Sequence, residues 1–329
     1  MEKAQIVCPN KLFQFLQRFS LYILGFLAFL PLGWFLVQQW ADVRASFQAI
    51  LWSRVVYSFF GLAFALPIVA SISWVSLVFL NAALPFRQAA GIYFLSQIPK
   101  YLPGGIWAFP GRMLAYQMVG VPKVDSVISV FREVAALFLG AVLVGLIALF
   151  QDNRIDRSIQ MALLIGVVGC VIGILITQLS ISRKILAHLP RAVRSRWASL
   201  VGKGAEASGI KWLFGTLPVS LIFWLILGIP FYQLILAVSP QVAGFNWLDA
   251  SGIFALAWSA GFVVFLVPAG FGVRETILSL LLSRVMSKPD AVSVALLSRI
   301  WWMAGEAFFT SFSWWVLKHK GWLPGIRVA

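Results

Sequence analysis

Six runs of predominantly apolar residues, at 19–38, 55–80, 126–150, 159–179, 212–238 and 291–317, are each long enough to cross a bilayer with some tilt. A spanning helix needs about 20 such residues, so these runs define an all-α, polytopic integral membrane protein. Composition agrees, because 61% of the 329 residues are hydrophobic and 11% charged, against about 25% charged in an ordinary soluble domain. No stretch remains for a long water-soluble domain, and a soluble enzyme is excluded. The expected unit is a single transmembrane domain over 1–329.

Two further apolar regions are interrupted. The first, 88–120, is broken by Pro99-Lys100-Tyr101-Leu102-Pro103-Gly104-Gly105, and the second, 250–286, by Pro268-Ala269-Gly270-Phe271-Gly272. Proline removes a backbone donor and glycine relaxes the helix, so each region is predicted to be two half-helices around an unwound tip. The arm Gln88–Ile98 is too short to cross. Pro103, Gly104 and Gly105 form one tip, and Pro268, Gly270 and Gly272 the other.

The balance of 26 Lys and Arg against 11 Asp and Glu, a net +15, reads as the basic cytoplasmic loops of a polytopic protein and not as a nucleic-acid footprint. Segment 180–211 holds Arg183, Lys184, Arg191, Arg194, Arg196, Lys203 and Lys211 against Glu206, and is expected to be cytoplasmic. Lys3, Lys11 and Arg18 put the N-terminus on that side of the plasma membrane, and Lys318, Lys320 and Arg327 the C-terminus. Segments 151–158 and 239–249 carry no positive excess and fit outside. The apolar run 19–38 is longer than the core of a signal peptide and is not followed by a small-x-small site, so it reads as a retained first span. These sides agree if both broken regions are re-entrant hairpins.

A sparse internal repeat accompanies the spans. Pro122, Val127 and Arg132 recur at a constant offset as Pro289, Val294 and Arg299, each set following a Pro-Gly tip. With three crossings per half, halves 1–150 and 159–320 would be inverted relative to each other, as in transporters whose broken helices meet near the midplane.

Ionisable residues inside spans are costly and mark candidate sites. Arg274 and Glu275 follow the second tip at the expected N-terminus of a half-helix, where free N–H groups and a guanidinium fork suit phosphate; the alternative is that they satisfy buried backbone or other charges. Lys100 precedes the first tip and Arg112 lies on its returning arm, either as a second basic locus or as side chains reaching to the headgroups. Arg132 and Glu133 sit early in one span, and Arg299 at the matching place in the last. Glu306, two turns beyond Arg299, shares its helix face with Trp302 between them, facing either a wet interior or a structural ion-pair partner. Trp34, Trp40, Trp52, Trp107, Trp247, Trp301, Trp302, Trp314, Trp315 and Trp322 fall mostly near span ends and read as interfacial anchors. His188 and His319 lie in loops, and Cys8 and Cys170 make no framework, so no metal or cofactor is expected. No Walker, HExxH or GxSxG pattern is present.

The string Gln97-Ile98-Pro99-Lys100-Tyr101-Leu102-Pro103-Gly104-Gly105-Ile106-Trp107, then Gly111-Arg112, Phe131-Arg132-Glu133 and Pro268-Ala269-Gly270-Phe271-Gly272-Val273-Arg274-Glu275, resembles the lysylphosphatidylglycerol synthase transmembrane-domain family. That family forms the membrane part of bacterial multiple peptide resistance factors and also occurs as free-standing membrane proteins. Ala269 stands where a second glycine is common, and no counterpart of the soluble aminoacyltransferase domain accompanies the match. The resemblance therefore implies lipid translocation and not lysyl transfer. The cargo would be an anionic phospholipid or a polyprenyl-phosphate-linked headgroup, with a protein partner or a second copy compatible with the reading. Two rival classes stay open: a membrane-embedded transferase with Glu275 or Glu133 as general base, and a non-catalytic assembly subunit using its Trp-rich faces.

Overall fold

The computed structural model describes residues 40–82, 84–101, 107–151, 211–263 and 270–322, with isolated positions at 33, 37, 38 and 161. Among them the chain is helical, without a strand. In order it forms α1 (Trp40–Gln48), α2 (Trp52–Val78), α3 (Phe86–Leu95), a 3₁₀ turn (Ile98–Tyr101), α4 (Ala108–Met118), α5 (Lys123–Gln151), α6 (Lys211–Val238), α7 (Trp247–Val263), α8 (Val273–Leu282) and α9 (Lys288–His319). Helices α2, α5, α6 and α9 are long and apolar enough to cross a membrane. They correspond to four of the six expected spans. Apart from those isolated positions, the runs 19–38 and 159–179 lie outside the described residues, as do the basic segment 180–210 and the tip residues Pro103, Gly104, Gly105 and Pro268.

Both interrupted regions are broken as their sequences require. The 10 residues of α3 make a rod about 15 Å long, half the thickness of a hydrocarbon core. The helix stops at Ser96, ahead of Pro99, and the chain resumes as the 11-residue α4. In the second region α7 has 17 residues and α8 has 10. Gly270 and Gly272 precede α8 at φ +66° and +81°, backbone angles that favour glycine. At the start of α9, Ser287 accepts the Asp290 N–H at 3.2 Å with Pro289 in the first turn, a standard N-cap.

Close approach by small residues holds the helices together, as expected where lipid supplies no hydrophobic drive between them. Along α2 and α6, Gly61 lies against Pro230, and a Cβ there would sit 2.7 Å from the proline Cβ. Ser58 of α2 donates to the Pro230 carbonyl at 2.6 Å. Between α5 and α7, Gly252 packs on Ala148 and Gly145 on Leu256. Helix α6 meets α5 where the Trp224 indole donates to the Leu137 carbonyl at 3.0 Å, and meets α7 where Ser251 donates to the Trp224 carbonyl at 2.6 Å. Gly305 of α9 lies on Leu62 and Leu66 of α2, and Gly91 of α3 on Leu317 of α9. Trp212, Trp224, Phe223, Phe231 and Phe254 fill the interior. Phe60, Phe64, Phe131 and Phe214 lie on the outside, each about two-thirds or more exposed, as suits a surface solvated by lipid tails. Trp40, Trp52, Trp107, Trp247, Trp314 and Trp315 are also exposed, whereas Trp301 and Trp302 are buried; for those two the anchor reading is corrected.

The packing separates two glycines by consequence. Gly252→Ala places a methyl 2.1 Å from the Ala148 Cβ, where no flexible side chain can yield, and is expected to destabilise by about 1–3 kcal/mol. Gly111→Ala in α4 meets nothing within 4 Å and should be neutral or slightly stabilising. Apparent melting temperatures in detergent test the contrast: the first falls and the second does not.

Candidate functional site

The two broken regions meet around one cavity with an empty volume of about 1070 Å³, its open mouth included. Its walls come from α2 to α9, the 3₁₀ turn and Gly270. Its lining includes an aromatic group, with Trp258 stacked on Phe262 at 5.2 Å between centroids and Trp224 adjoining Trp258 at 5.3 Å. The lining also carries Lys100, Arg112, Glu133, Arg274, Arg299 and Glu306. Six of the eight ionisable residues singled out in the sequence thus border a single space.

Most of these charges are paired. Arg112 of α4 binds Glu133 of α5 through Nη1 and Oε1, both side chains being almost fully buried. Its Nε donates to the Ser96 hydroxyl at 2.8 Å, and its guanidinium lies 4.2 Å from the centre of the Tyr93 ring. The arms α3 and α4 and the span α5 are therefore tied through one guanidinium. In the second region Arg299 of α9 reaches Glu275 of α8 at 3.4 Å. The other oxygen of Glu275 accepts the Gly272 N–H at 2.7 Å, so Glu275 caps its own helix and that amide is already engaged. Lys100 binds Glu306, joining the 3₁₀ turn to α9.

Arg274 differs from these. It is 4% exposed, and its Nε and Nη2 have no hydrogen-bond partner. Its guanidinium stands 4.5 Å from the Phe254 ring centroid and 5.5 Å from that of Trp302. Aromatic faces stabilise a cation but leave its in-plane donors unused. Among the described residues of the cavity wall, Arg274 is the cationic side chain without a carboxylate partner. Gly261 permits this placement, because a Cβ there would lie 3.1 Å from the Arg274 Cβ.

Arg132 does not border the cavity; it is buried in α5 with its guanidinium 5.4 Å from the Trp212 ring centroid. Of the tip residues expected to shape the site, Gly270 lines the cavity and Gly272 starts α8. Tyr101, Trp302, Tyr93 and Ser96 were not singled out as binding groups, yet they contact the charged side chains directly. Tyr101 carried a signal in its position beside Lys100, and Trp302 in its place between Arg299 and Glu306.

The Arg112–Glu133 pair yields a stability prediction. Glu133→Gln leaves a buried guanidinium without its counter-charge and should cost about 3–5 kcal/mol, while Arg112→Met combined with Glu133→Leu recovers most of the loss. Unfolding in detergent measures both; equal destabilisation by the single and double variants would contradict the pairing.

No curated protein matches the chain at a significant level. The family model for the lysylphosphatidylglycerol synthase TM region matches residues 22–303, which includes both broken regions and every lining residue of the cavity except Glu306. With helices built to span a membrane and that match over most of its length, the protein belongs to the lysylphosphatidylglycerol synthase transmembrane-region family.

Proposed function

We propose that the protein is a lipid translocase, moving a phosphate-bearing lipid or lipid-linked headgroup between leaflets through the cavity, with Arg274 as the primary contact for the phosphate. The observation that carries this reading is the buried guanidinium of Arg274, whose Nε and Nη2 are unpartnered while the neighbouring cations are engaged by carboxylates. A guanidinium fork matches phosphate oxygens, and a charge kept in an apolar interior without a counter-ion is costly unless a ligand supplies one. The aromatic group of Trp224, Trp258 and Phe262 offers the rest of a headgroup an amphipathic surface. Acyl chains would remain in the bilayer. Lys100, Arg112 and Arg299 line the same cavity, each held by a carboxylate.

The element order supports a repeat. Long, short, short, long occurs once as α2 to α5 and again as α6 to α9. In each set an Arg–Glu pair fastens the second short helix to the long helix after it, Arg112 to Glu133 and Glu275 to Arg299. Two halves, 1–150 and 159–320, inverted about the membrane plane and rocking around the cavity would expose it alternately to each leaflet. With the basic segment 180–211 on the cytoplasmic side of the plasma membrane, both termini face the cytoplasm. A transferase is less well supported, because Glu133 and Glu275, its candidate bases, each hold an arginine.

In vesicles carrying fluorescent phosphatidylglycerol, the purified protein should accelerate transbilayer movement. Arg274→Ala should slow that movement at least about tenfold, since hydrogen bonds to a charged group contribute about 1.5–3 kcal/mol. Arg54→Ala, which removes a hydrogen bond to Gln233 away from the cavity, should leave the rate unchanged. Equal rates for Arg274→Ala and the unaltered protein would remove Arg274 from the path.

A further inference from the structure

Three hydrogen-bond donors converge on the carboxylate of Glu306. The Lys100 ammonium and the Trp302 indole N–H, the latter at 2.7 Å, reach Oε1, and the Tyr101 hydroxyl reaches Oε2 at 2.6 Å. Lys100 and Tyr101 belong to the 3₁₀ turn of the first broken region, and Trp302 and Glu306 to α9. One cation and two neutral donors around an anion form a set that a phosphate group can occupy as well as a carboxylate, since both present charged oxygen acceptors. Arg274 shares the cavity wall with this cluster, its guanidinium 5.5 Å from the Trp302 ring centroid. A phosphate on Arg274 therefore arrives beside three donors already occupied by an acid of the chain itself.

We infer that Glu306 is an internal competitor for the ligand's anionic group: it occupies Lys100, Tyr101 and Trp302 in the empty cavity and yields them to the arriving phosphate. This rests on the lipid reading above and adds a control step to it. In the empty cavity Lys100 would be a partly buried cation without a counter-charge if Glu306 were absent, so the pair keeps the 3₁₀ turn fastened to α9. Phosphate replaces one anion with another at Lys100, and the released Glu306 carboxylate turns toward the open mouth of the cavity, so the exchange costs less than opening the pair with no ligand present. The exchange replaces the direct Lys100–Glu306 link between the turn and α9 with a bridge through the ligand, so the ligand favours that arrangement through contacts it makes only there. A lipid without a phosphate cannot perform it.

The test is calorimetric titration of the full-length protein in neutral detergent with dihexanoyl-phosphatidylglycerol, and with dioctanoylglycerol as the phosphate-free probe. Glu306→Gln removes the competing charge and should tighten phosphatidylglycerol binding about tenfold, with no gain for dioctanoylglycerol. Glu306→Asp, which keeps the charge that Lys100 needs but shortens its reach, should tighten binding about threefold and serves if the glutamine variant does not fold. Unchanged or weaker phosphatidylglycerol binding in the folded variant overturns the inference, as does tightening that extends equally to dioctanoylglycerol. Arg274→Ala separates the two levels. Binding that depends on Arg274 yet ignores Glu306 defeats the competitor alone, whereas binding indifferent to Arg274 defeats the translocase reading beneath it.

Discussion

The cost of leaving charge uncompensated in an apolar interior organises this protein. Three ion pairs, Arg112–Glu133, Glu275–Arg299 and Lys100–Glu306, neutralise charges that lipid and packed side chains cannot solvate. Each pair also joins segments that would otherwise be weakly held. The first fastens α4 to α5, the second α8 to α9, and the third the 3₁₀ turn to α9. The broken helices are too short to be fixed by their own hydrogen bonds and apolar faces alone, and these pairs set where their ends lie. Arg274 stands outside this pattern of compensation, which is why the proposed ligand contact centres on it.

Packing supplies the rigidity against which those charges are held. Gly61 on Pro230, Gly252 on Ala148 and Gly305 on Leu62 bring helix backbones close enough to exclude lipid from between them. The indole of Trp224 links α6 to α5 through the Leu137 carbonyl, and Trp224 also lines the cavity. A residue that fixes two helices thereby also positions the surface on which a headgroup would rest.

Much of the architecture was legible in the sequence, because span length and Pro-Gly interruptions are local properties. The 10-residue α3, the break after Ser96 and the restart of the chain at α8 beyond Gly270 and Gly272 follow from residue type and spacing. Periodicity placed Arg299, Trp302 and Glu306 on one face, and all three border the cavity. Partner choice was not legible. Lys100 and Glu306 are 206 positions apart, and nothing local to either identifies the other. Arg132 and Arg299 occupy matching places in the expected repeat, yet one lies against Trp212 and the other on the cavity wall, since small differences in helix rotation decide which face looks inward. Trp302 resembled an interfacial anchor by its position, whereas its indole donates to Glu306, a role visible only once α9 has neighbours.

The central claim is that Arg274 holds a phosphate-bearing lipid in an otherwise charge-compensated cavity. Native mass spectrometry after mild detergent extraction tests it most directly, by comparing the lipid retained by the unaltered protein with that retained by Arg274→Gln. The account predicts a specific phosphate-bearing lipid on the first and its loss from the second, with both remaining folded. The same lipid retained equally by both would contradict it.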